Sequence, residues 1–337
     1  MNIFIVNLVL LFIWSVVIRP ELNQQRTRIF VFIISFQLFL IALFSPIVSD
    51  ALMYENWARN DIYPNTNIGW VLVSRLAWSI WPSAKALLCT VSIISLTSIG
   101  HFFLGYSKNL PLSYLMYICL GIWGLSFFVF RQSLAFAICL FSFGSIERRD
   151  LRRFLIIVLI ACLFHETAAA FLIAYPLATS NRLNRFRALI MAGISILFLL
   201  FYRPFFTLLF SLFRNGDIYE ISSEVVGVGH LAILVFFTVF AYILGKSDRE
   251  STFQKTIDAG LVVQLGCLHF PEFVRLVYFF DFAAMISVPN AICCLRDRKQ
   301  RLFAELVLIT FLLAVYIFSA NFGFPGGPQA YIPTLPI

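Results

Sequence analysis

Long apolar segments separated by short basic ones run from Met1 almost to Ala320. Segments of roughly 17 to 25 apolar residues are long enough to cross about 30 Å of hydrocarbon as helices, and 84–106 and 110–130 are clear examples. The pattern therefore predicts an all-α polytopic membrane protein with about twelve transmembrane or half-spanning helices and one interfacial helix. Residues 1–337 are then a single integral membrane domain, because no polar segment is long enough to fold by itself.

Basic residues gather in short clusters between the apolar segments. Cytoplasmic loops of membrane proteins favour Lys and Arg, so we expect all of these clusters to lie in the cytoplasm. The spans then come in pairs, and both chain termini lie outside. The outer segments that result are 49–67, 204–227, 269–275 and the tail 321–337.

Two segments do not fit simple crossings. Residues 69–82 are too short to cross and contain three Trp and an Arg, which is typical of an interfacial or re-entrant helix on the outer face. Residues 154–178 fit either one helix centred on His165 or two half-spans that meet outside at His165 and Glu166. Basic clusters on both flanks favour the two half-spans, because a single crossing would put one cluster on the wrong side.

Composition and motifs narrow the possible functions. Of the 337 residues, 61% are hydrophobic and 12% are charged, which excludes an ordinary soluble protein. The net charge of +8 does not indicate nucleic acid, because the basic residues are not arranged along one face. The seven cysteines lie within or at the ends of apolar segments, without zinc-ligand spacing. Motifs of serine and zinc proteases and of P-loop ATPases are absent, and we expect neither a metal nor a cofactor.

Arg131 lies between two apolar segments, in FFVFRQSLAF. A charge at membrane depth is costly, so it is usually neutralised, solvated in a cavity or functional. The guanidinium could offer a planar fork of donors to a phosphate or diphosphate that enters from the membrane surface. Alternatively, Arg131 reaches the outer headgroups or pairs with a buried carboxylate.

His165 and Glu166 occur in ACLFHETAAAF. An imidazole here could accept a proton from a substrate or bind phosphate as imidazolium. The structural alternative is that His165 caps a helix junction.

The outer segments supply further candidates. In SDALMYENWARNDIY, a carboxylate such as Asp50 could take the proton of a sugar hydroxyl, and Tyr54 and Trp57 could stack on sugar rings. An ordinary solvated segment is the alternative. Arg203, Arg214 and Arg275 complete the outer set: Arg275 resembles Arg131 in its setting, whereas Arg203 and Arg214 could equally anchor loop ends.

Taken together, these motifs make the chain resemble the EpsG-like branch of the bacterial Wzy polysaccharide polymerases. The resemblance rests on Asp50 followed by Tyr54, on RQSLAF with Arg131 and Gln132, on the basic turn ERRDLRR and on ACLFHETA with His165. A late VRLVYFF with Arg275 and a terminal segment with Tyr331 fit the same layout. Glu166 departs from it, since a small or basic residue is expected at that position.

The resemblance implies a fold similar to that of the GT-C-like membrane glycosyltransferases. It also implies a polymerase at the periplasmic face of a bacterial inner membrane, which moves a growing glycan from undecaprenyl diphosphate onto the next lipid-linked repeat unit of an O-antigen, capsule or related polysaccharide. Its partners would be the lipid-linked oligosaccharide, membrane lipid, a flippase and a chain-length regulator. The catalytic residues would be Asp50, Arg131 and His165, and the substrate-binding residues Tyr54, Glu55, Gln132, Arg203, Arg214, Arg275 and Tyr331.

Two other functions stay open. A flippase for lipid-linked oligosaccharides would be as apolar, but transporters commonly place polar groups near the midplane of internal repeats, and no repeat is evident here. A membrane O-acyltransferase also uses an intramembrane His, but its usual cytoplasmic donor disagrees with an outer His165.

Overall fold

The computed structural model describes residues 3–45, 47, 49–63, 67–127, 129–179, 228–244, 252–266 and 274–322, and over these ranges the chain is helical without a strand. The predicted all-α class is confirmed. The α-helices, numbered in chain order, are α1 Ile3–Ile18, α2 Gln24–Phe44, α3 Ser49–Asn60, α4 Ile68–Ile80, α5 Ala84–Tyr106, α6 Leu110–Cys119, α7 Phe130–Cys139, α8 Phe143–Glu147, α9 Leu151–Cys162, α10 Ala174–Thr179, α11 Val228–Leu244, α12 Thr252–Gly266, α13 Val274–Cys293 and α14 Arg298–Phe322. Short 3-10 helices add Pro20–Leu22, Trp123–Phe127, Leu140–Ser142 and Glu166–Ile173.

Five segments among the described residues are long and apolar enough to cross a membrane. They are Ile5–Leu22, Gln24–Phe44, Ala84–Tyr106, Arg275–Cys293 and Arg298–Ile317. Lengths and composition of this kind are those of a helical membrane protein. The count of about twelve crossings and the likeness to the GT-C-like fold stay predictions.

The segment 110–130, predicted as one crossing, is broken. Helix α6 ends at Cys119, and Gly121, whose N–H donates to the Ile118 carbonyl at 3.0 Å, adopts a φ of 72°. A left-handed residue just after the last turn ends a helix, and only glycine adopts this conformation without strain. The buried 3-10 helix Trp123–Phe127 follows, and α7 then begins at Phe130, with Arg131 in its first turn.

Residues 154–178 form two halves, as predicted. Helix α9 ends at Cys162, the chain turns, and the 3-10 helix Glu166–Ile173 follows. The Phe154 ring on α9 lies 6.1 Å from that of Phe171 and 5.0 Å from that of Tyr175, so the second half returns alongside the first. His165 therefore lies in a turn between helices. The side of the membrane that this turn faces stays a prediction.

The outer segment 49–67, expected as a loop, instead contains α3. Ala51, Tyr54 and Ala58 are buried on one face of this helix. Their spacing of three and four residues is the helical repeat, so α3 packs an apolar stripe against α4 and α5. Helix α3 is therefore part of the packed bundle.

Helix α4 has 13 residues, too few for a crossing, as predicted. Its inner face carries the buried Trp70 and Ala77. The outer face exposes an apolar row at helical spacing, with Leu72 62% and Leu76 64% exposed. Such a helix suits the membrane interface, although that location stays a prediction.

Helices α12 and α13 approach closely where Gly260 meets Phe280. A Cβ at position 260 would lie 2.7 Å from the Phe280 Cβ. Small residues permit backbones to approach in membrane bundles, so this contact fixes the spacing of the pair.

Replacing Gly260 with Ala should therefore lower the stability of the detergent-solubilised protein by about 1–3 kcal/mol, because the extra methyl forces the two helices apart. Gly105→Ala is the matched control, since a Cβ at position 105 meets no atom within 4 Å. Thermal unfolding measures both variants. Equal melting temperatures would contradict the packing described.

Candidate functional site

Arg131 lies half-buried in the first turn of α7. Its Nε is buried and has no hydrogen-bond partner among the described residues. The Cζ atom lies over the ring of Trp57, 5.9 Å from its centroid. Pairing with a buried carboxylate, one of the alternatives from the sequence, does not occur among the ion pairs of the described ranges. An aromatic face thus holds the guanidinium without using its donors.

His165 caps the 3-10 helix that follows it. Its Nδ1 accepts a hydrogen bond from the Thr167 backbone N–H at 3.3 Å and lies 2.8 Å from the Thr167 hydroxyl oxygen. A nitrogen that accepts from a backbone N–H carries no proton, so the neutral ring has its hydrogen on Nε2. The predicted capping role is therefore present, and Nε2–H is left as a donor.

The electrostatic environment of His165 favours the neutral ring. His165 lies outside the five candidate spans. Burial lowers the pKa of the imidazole, Glu166 opposes this, and the positive charges of Arg131 and Arg275 lower the pKa further. Helices α7 and α13, which carry the two arginines, both pack against the 3-10 helix that His165 caps.

Gln132 joins the arginines. Its side chain is buried, and Nε2 donates to the backbone carbonyl of Arg275 at 3.1 Å. The contact holds the first turn of α7 against the first turn of α13. The structure thus brings together four predicted site residues, Arg131, Gln132, His165 and Arg275.

We call Arg131, Gln132, His165 and Arg275 the arginine–histidine cluster. Glu166 lies at the border of this cluster. The Glu166 side chain is 68% exposed, and Oε2 lies 4.0 Å from the His165 Nδ1. Glu166 therefore provides negative charge at the edge of the cluster without a hydrogen bond to either ring nitrogen of His165.

Helix α4 is attached directly to the turn that carries His165. The Gly69 N–H donates to the Leu163 carbonyl at 2.7 Å, and the Asn67 side chain donates to the Cys162 carbonyl at 3.1 Å. A Cβ at position 69 would lie 2.7 Å from the Leu163 oxygen. Glycine is therefore required for this approach.

Four aromatic rings connect α3 and α4 to α7. Tyr54 lies 5.3 Å from Trp57, 4.9 Å from Trp70 and 5.0 Å from Phe130, measured between ring centroids. Tyr54 is only 5% exposed, so its ring is packed inside this aromatic cluster. Glu55, another predicted binding residue, is half-buried and pairs with the exposed Arg59 at 3.0 Å. The binding roles of Tyr54 and Glu55 stay predictions.

The remaining predicted site residues cannot be placed. Asp50 belongs to α3, but its side chain is outside the described residues, as are Arg203, Arg214 and Tyr331. Within the described residues, no group of three or more His, Cys, Asp or Glu side chains could hold a metal ion.

A second polar cluster was missed by the sequence reasoning. On α11, the His230 Nε2 lies 3.0 Å from the Asp281 carboxylate of α13, and Nδ1 lies 2.9 Å from the Gln264 Oε1 of α12. Asp281 interrupts the apolar run VYFFDFAAM, which is the same signal that drew attention to Arg131. Because both ring nitrogens contact acceptor oxygens, His230 forms a buried ion pair across three helices and has no nitrogen left for a substrate.

The arginine–histidine cluster and its surroundings lie within a family match. The sequence model described as the EpsG family matches residues 27–333. The chain belongs to the EpsG family. EpsG membership indicates a polysaccharide-polymerase type of role in a membrane protein, and it confirms the resemblance seen in the motifs. Comparisons with curated proteins and with solved structures give no match.

Removing one partner of the buried ion pair in this EpsG protein should be costly, because an uncompensated charge remains in the core. Asp281→Leu or His230→Leu alone is expected to lower the unfolding free energy by about 3–5 kcal/mol, whereas the double variant should lose less than either. Thermal unfolding in detergent measures all three. Additive losses in the double variant would show that the two groups are not paired.

Proposed function

We propose that this protein is a membrane glycosyltransferase that polymerises an O-antigen or a related surface polysaccharide. It transfers a growing glycan from undecaprenyl diphosphate onto the next lipid-linked repeat unit at the periplasmic face of a bacterial inner membrane. The observation that carries this proposal is the contact between Gln132 and the Arg275 backbone, which places two arginines on adjoining helix starts beside the His165 turn, in a chain of the EpsG family.

The reaction depends more on a site that stabilises the departing anion than on a general acid that protonates it. A sugar hydroxyl of the acceptor forms a bond to the anomeric carbon, the bond from that carbon to the diphosphate oxygen breaks, and the hydroxyl proton passes to a base. The departing diphosphate is already a good leaving group, so stabilising its charge is the main demand. Arg131 and Arg275 would meet that demand with charge-assisted hydrogen bonds.

The tautomer of His165 suits a donor better than a base. Its Nδ1 is occupied by the Thr167 N–H, and Nε2 carries the hydrogen. We therefore assign His165 to the diphosphate, where Nε2–H donates to a phosphate oxygen. The base is then assigned to Asp50, a residue of the first turn of α3. Tyr54, Glu55, Gln132, Arg203, Arg214 and Tyr331 complete the proposed substrate-binding set, with a flippase and a chain-length regulator as partners.

The proposal is tested by the length distribution of the surface glycan in a strain that lacks the gene and is complemented with variants. Arg131→Ala should reduce transfer by about 100- to 1,000-fold, because a preorganised donor to the leaving group is lost. The ladder of glycan lengths should then shorten to one repeat unit. The Arg131→Lys variant should give glycans of intermediate length, because Lys keeps the charge but lacks the planar fork of N–H donors.

Arg75→Ala is the matched control. Arg75 is an exposed arginine of α4 whose Nε pairs with Asp61 at 2.7 Å, and exposed pairs contribute little to stability. Its ladder should be unchanged. A full-length ladder in both Arg131→Ala and His165→Ala would overturn the proposal.

The polymerisation activity of His165 variants distinguishes a hydrogen-bond donor from a base. In His165→Gln the amide can place an N–H near the former Nε2, whereas in His165→Asn the amide can replace only Nδ1 as the cap. If His165 is a donor, the Gln variant should retain measurable polymerisation. The Asn variant should be roughly tenfold or more less active than the Gln variant, a typical difference for one charge-assisted hydrogen bond. Equal, complete inactivity of both variants at normal protein levels would instead favour a base.

A further inference from the structure

An arginine that awaits an anionic ligand must be held in place by something that does not compete with that ligand. A carboxylate would hold it firmly, but it would occupy the same N–H groups that a diphosphate needs. Among the described residues, Arg131 takes part in no ion pair, and its buried Nε has no acceptor. The nearby acid, Glu166, lies beside His165 with its side chain 68% exposed and forms no ion pair with Arg131.

Trp57 is the group that contacts the guanidinium. Its ring centroid lies 5.9 Å from the Arg131 Cζ, within the range of a cation–π interaction. Such a contact attracts the positive charge through the ring quadrupole and uses no N–H donor. Trp57 itself is half-buried, so its ring is neither free in solvent nor closed inside the core.

The position of Trp57 is fixed by rings that also fix the backbone of Arg131. Tyr54 meets the Trp57 ring edge-on at 5.3 Å and stacks on Phe130 at 5.0 Å. Phe130 is fully buried and directly precedes Arg131. The ring that contacts the Arg131 guanidinium is therefore connected, through Tyr54 and Phe130, to the Arg131 backbone.

We propose that Trp57 is a positioning residue, which holds the Arg131 guanidinium by its aromatic face and so leaves the terminal N–H donors of Arg131 to a diphosphate. The assignment rests on the proposed function, because it gives Arg131 the diphosphate as ligand. It replaces sugar stacking as the reason for a Trp at this position of α3.

The test measures the binding of inorganic diphosphate to the purified full-length protein in detergent by calorimetry. Trp57→Phe keeps an aromatic face and should bind within about twofold of wild type, whereas Trp57→Leu should bind roughly three- to tenfold more weakly, the range of a lost cation–π contact. Trp81→Leu is the matched control, since Trp81 is 48% exposed and lies after α4; it should bind like wild type.

A second pair of variants separates positioning from general damage to the fold. Trp57→Glu and Trp57→Gln have the same shape, but the carboxylate would pair with Arg131 and compete with diphosphate. The Glu variant should therefore bind roughly tenfold more weakly than the Gln variant, the usual effect of a charge-assisted bond. This comparison remains valid if both variants are less stable than wild type.

The possible failures are distinguishable. If Arg131→Ala leaves diphosphate binding unchanged, the proposed function fails. If Arg131→Ala abolishes binding but the Leu variant binds like the Phe variant, or the Glu variant like the Gln variant, only the role of Trp57 is overturned.

Discussion

The hydrogen bond from the Gln132 amide to the Arg275 carbonyl joins the first turns of two helices that are far apart in sequence. Each turn carries an arginine, and two like charges repel each other. Apolar packing holds the two helices together: the ring of Phe136 on α7 lies 4.2 Å from that of Phe279 on α13. The positive cluster is therefore assembled by the body of the bundle, and a bound anion would offset the repulsion between its charges.

The two polar clusters illustrate opposite solutions to burying charge. His230 and Asp281 neutralise each other, and Gln264 takes the second ring nitrogen, so this network is complete. Arg131 has an aromatic ring where a carboxylate would be expected. Complete networks rigidify a fold, whereas a buried side-chain donor without a partner requires an explanation such as a ligand. The contrast supports a structural role for the His230–Asp281 pair and a binding role for the arginine–histidine cluster.

Much of this fold follows from local pattern. The bounds of α5 agree with the predicted 84–106, and the break at His165 followed from basic residues on both flanks. The break at Gly121 was not predicted, because one glycine within an apolar run does not reveal its φ. Likewise, the pairing of His230 with Asp281 and of Trp57 with Arg131 joins residues that are distant in sequence, which periodicity does not identify. Local pattern thus finds the charged residues, and tertiary packing decides their partners.

The attachment of α4 involves the backbone of the His165 turn, since the Leu163 carbonyl receives the Gly69 N–H. Only position 69 is constrained by this contact, and its constraint is the absence of a side chain. If α4 lies at the membrane interface, as the sequence predicts, the outward row that includes Leu72 and Leu76 can differ between bilayers while the geometry of the turn is preserved. Lipid contact and the positioning of His165 would then belong to two faces of a single short helix.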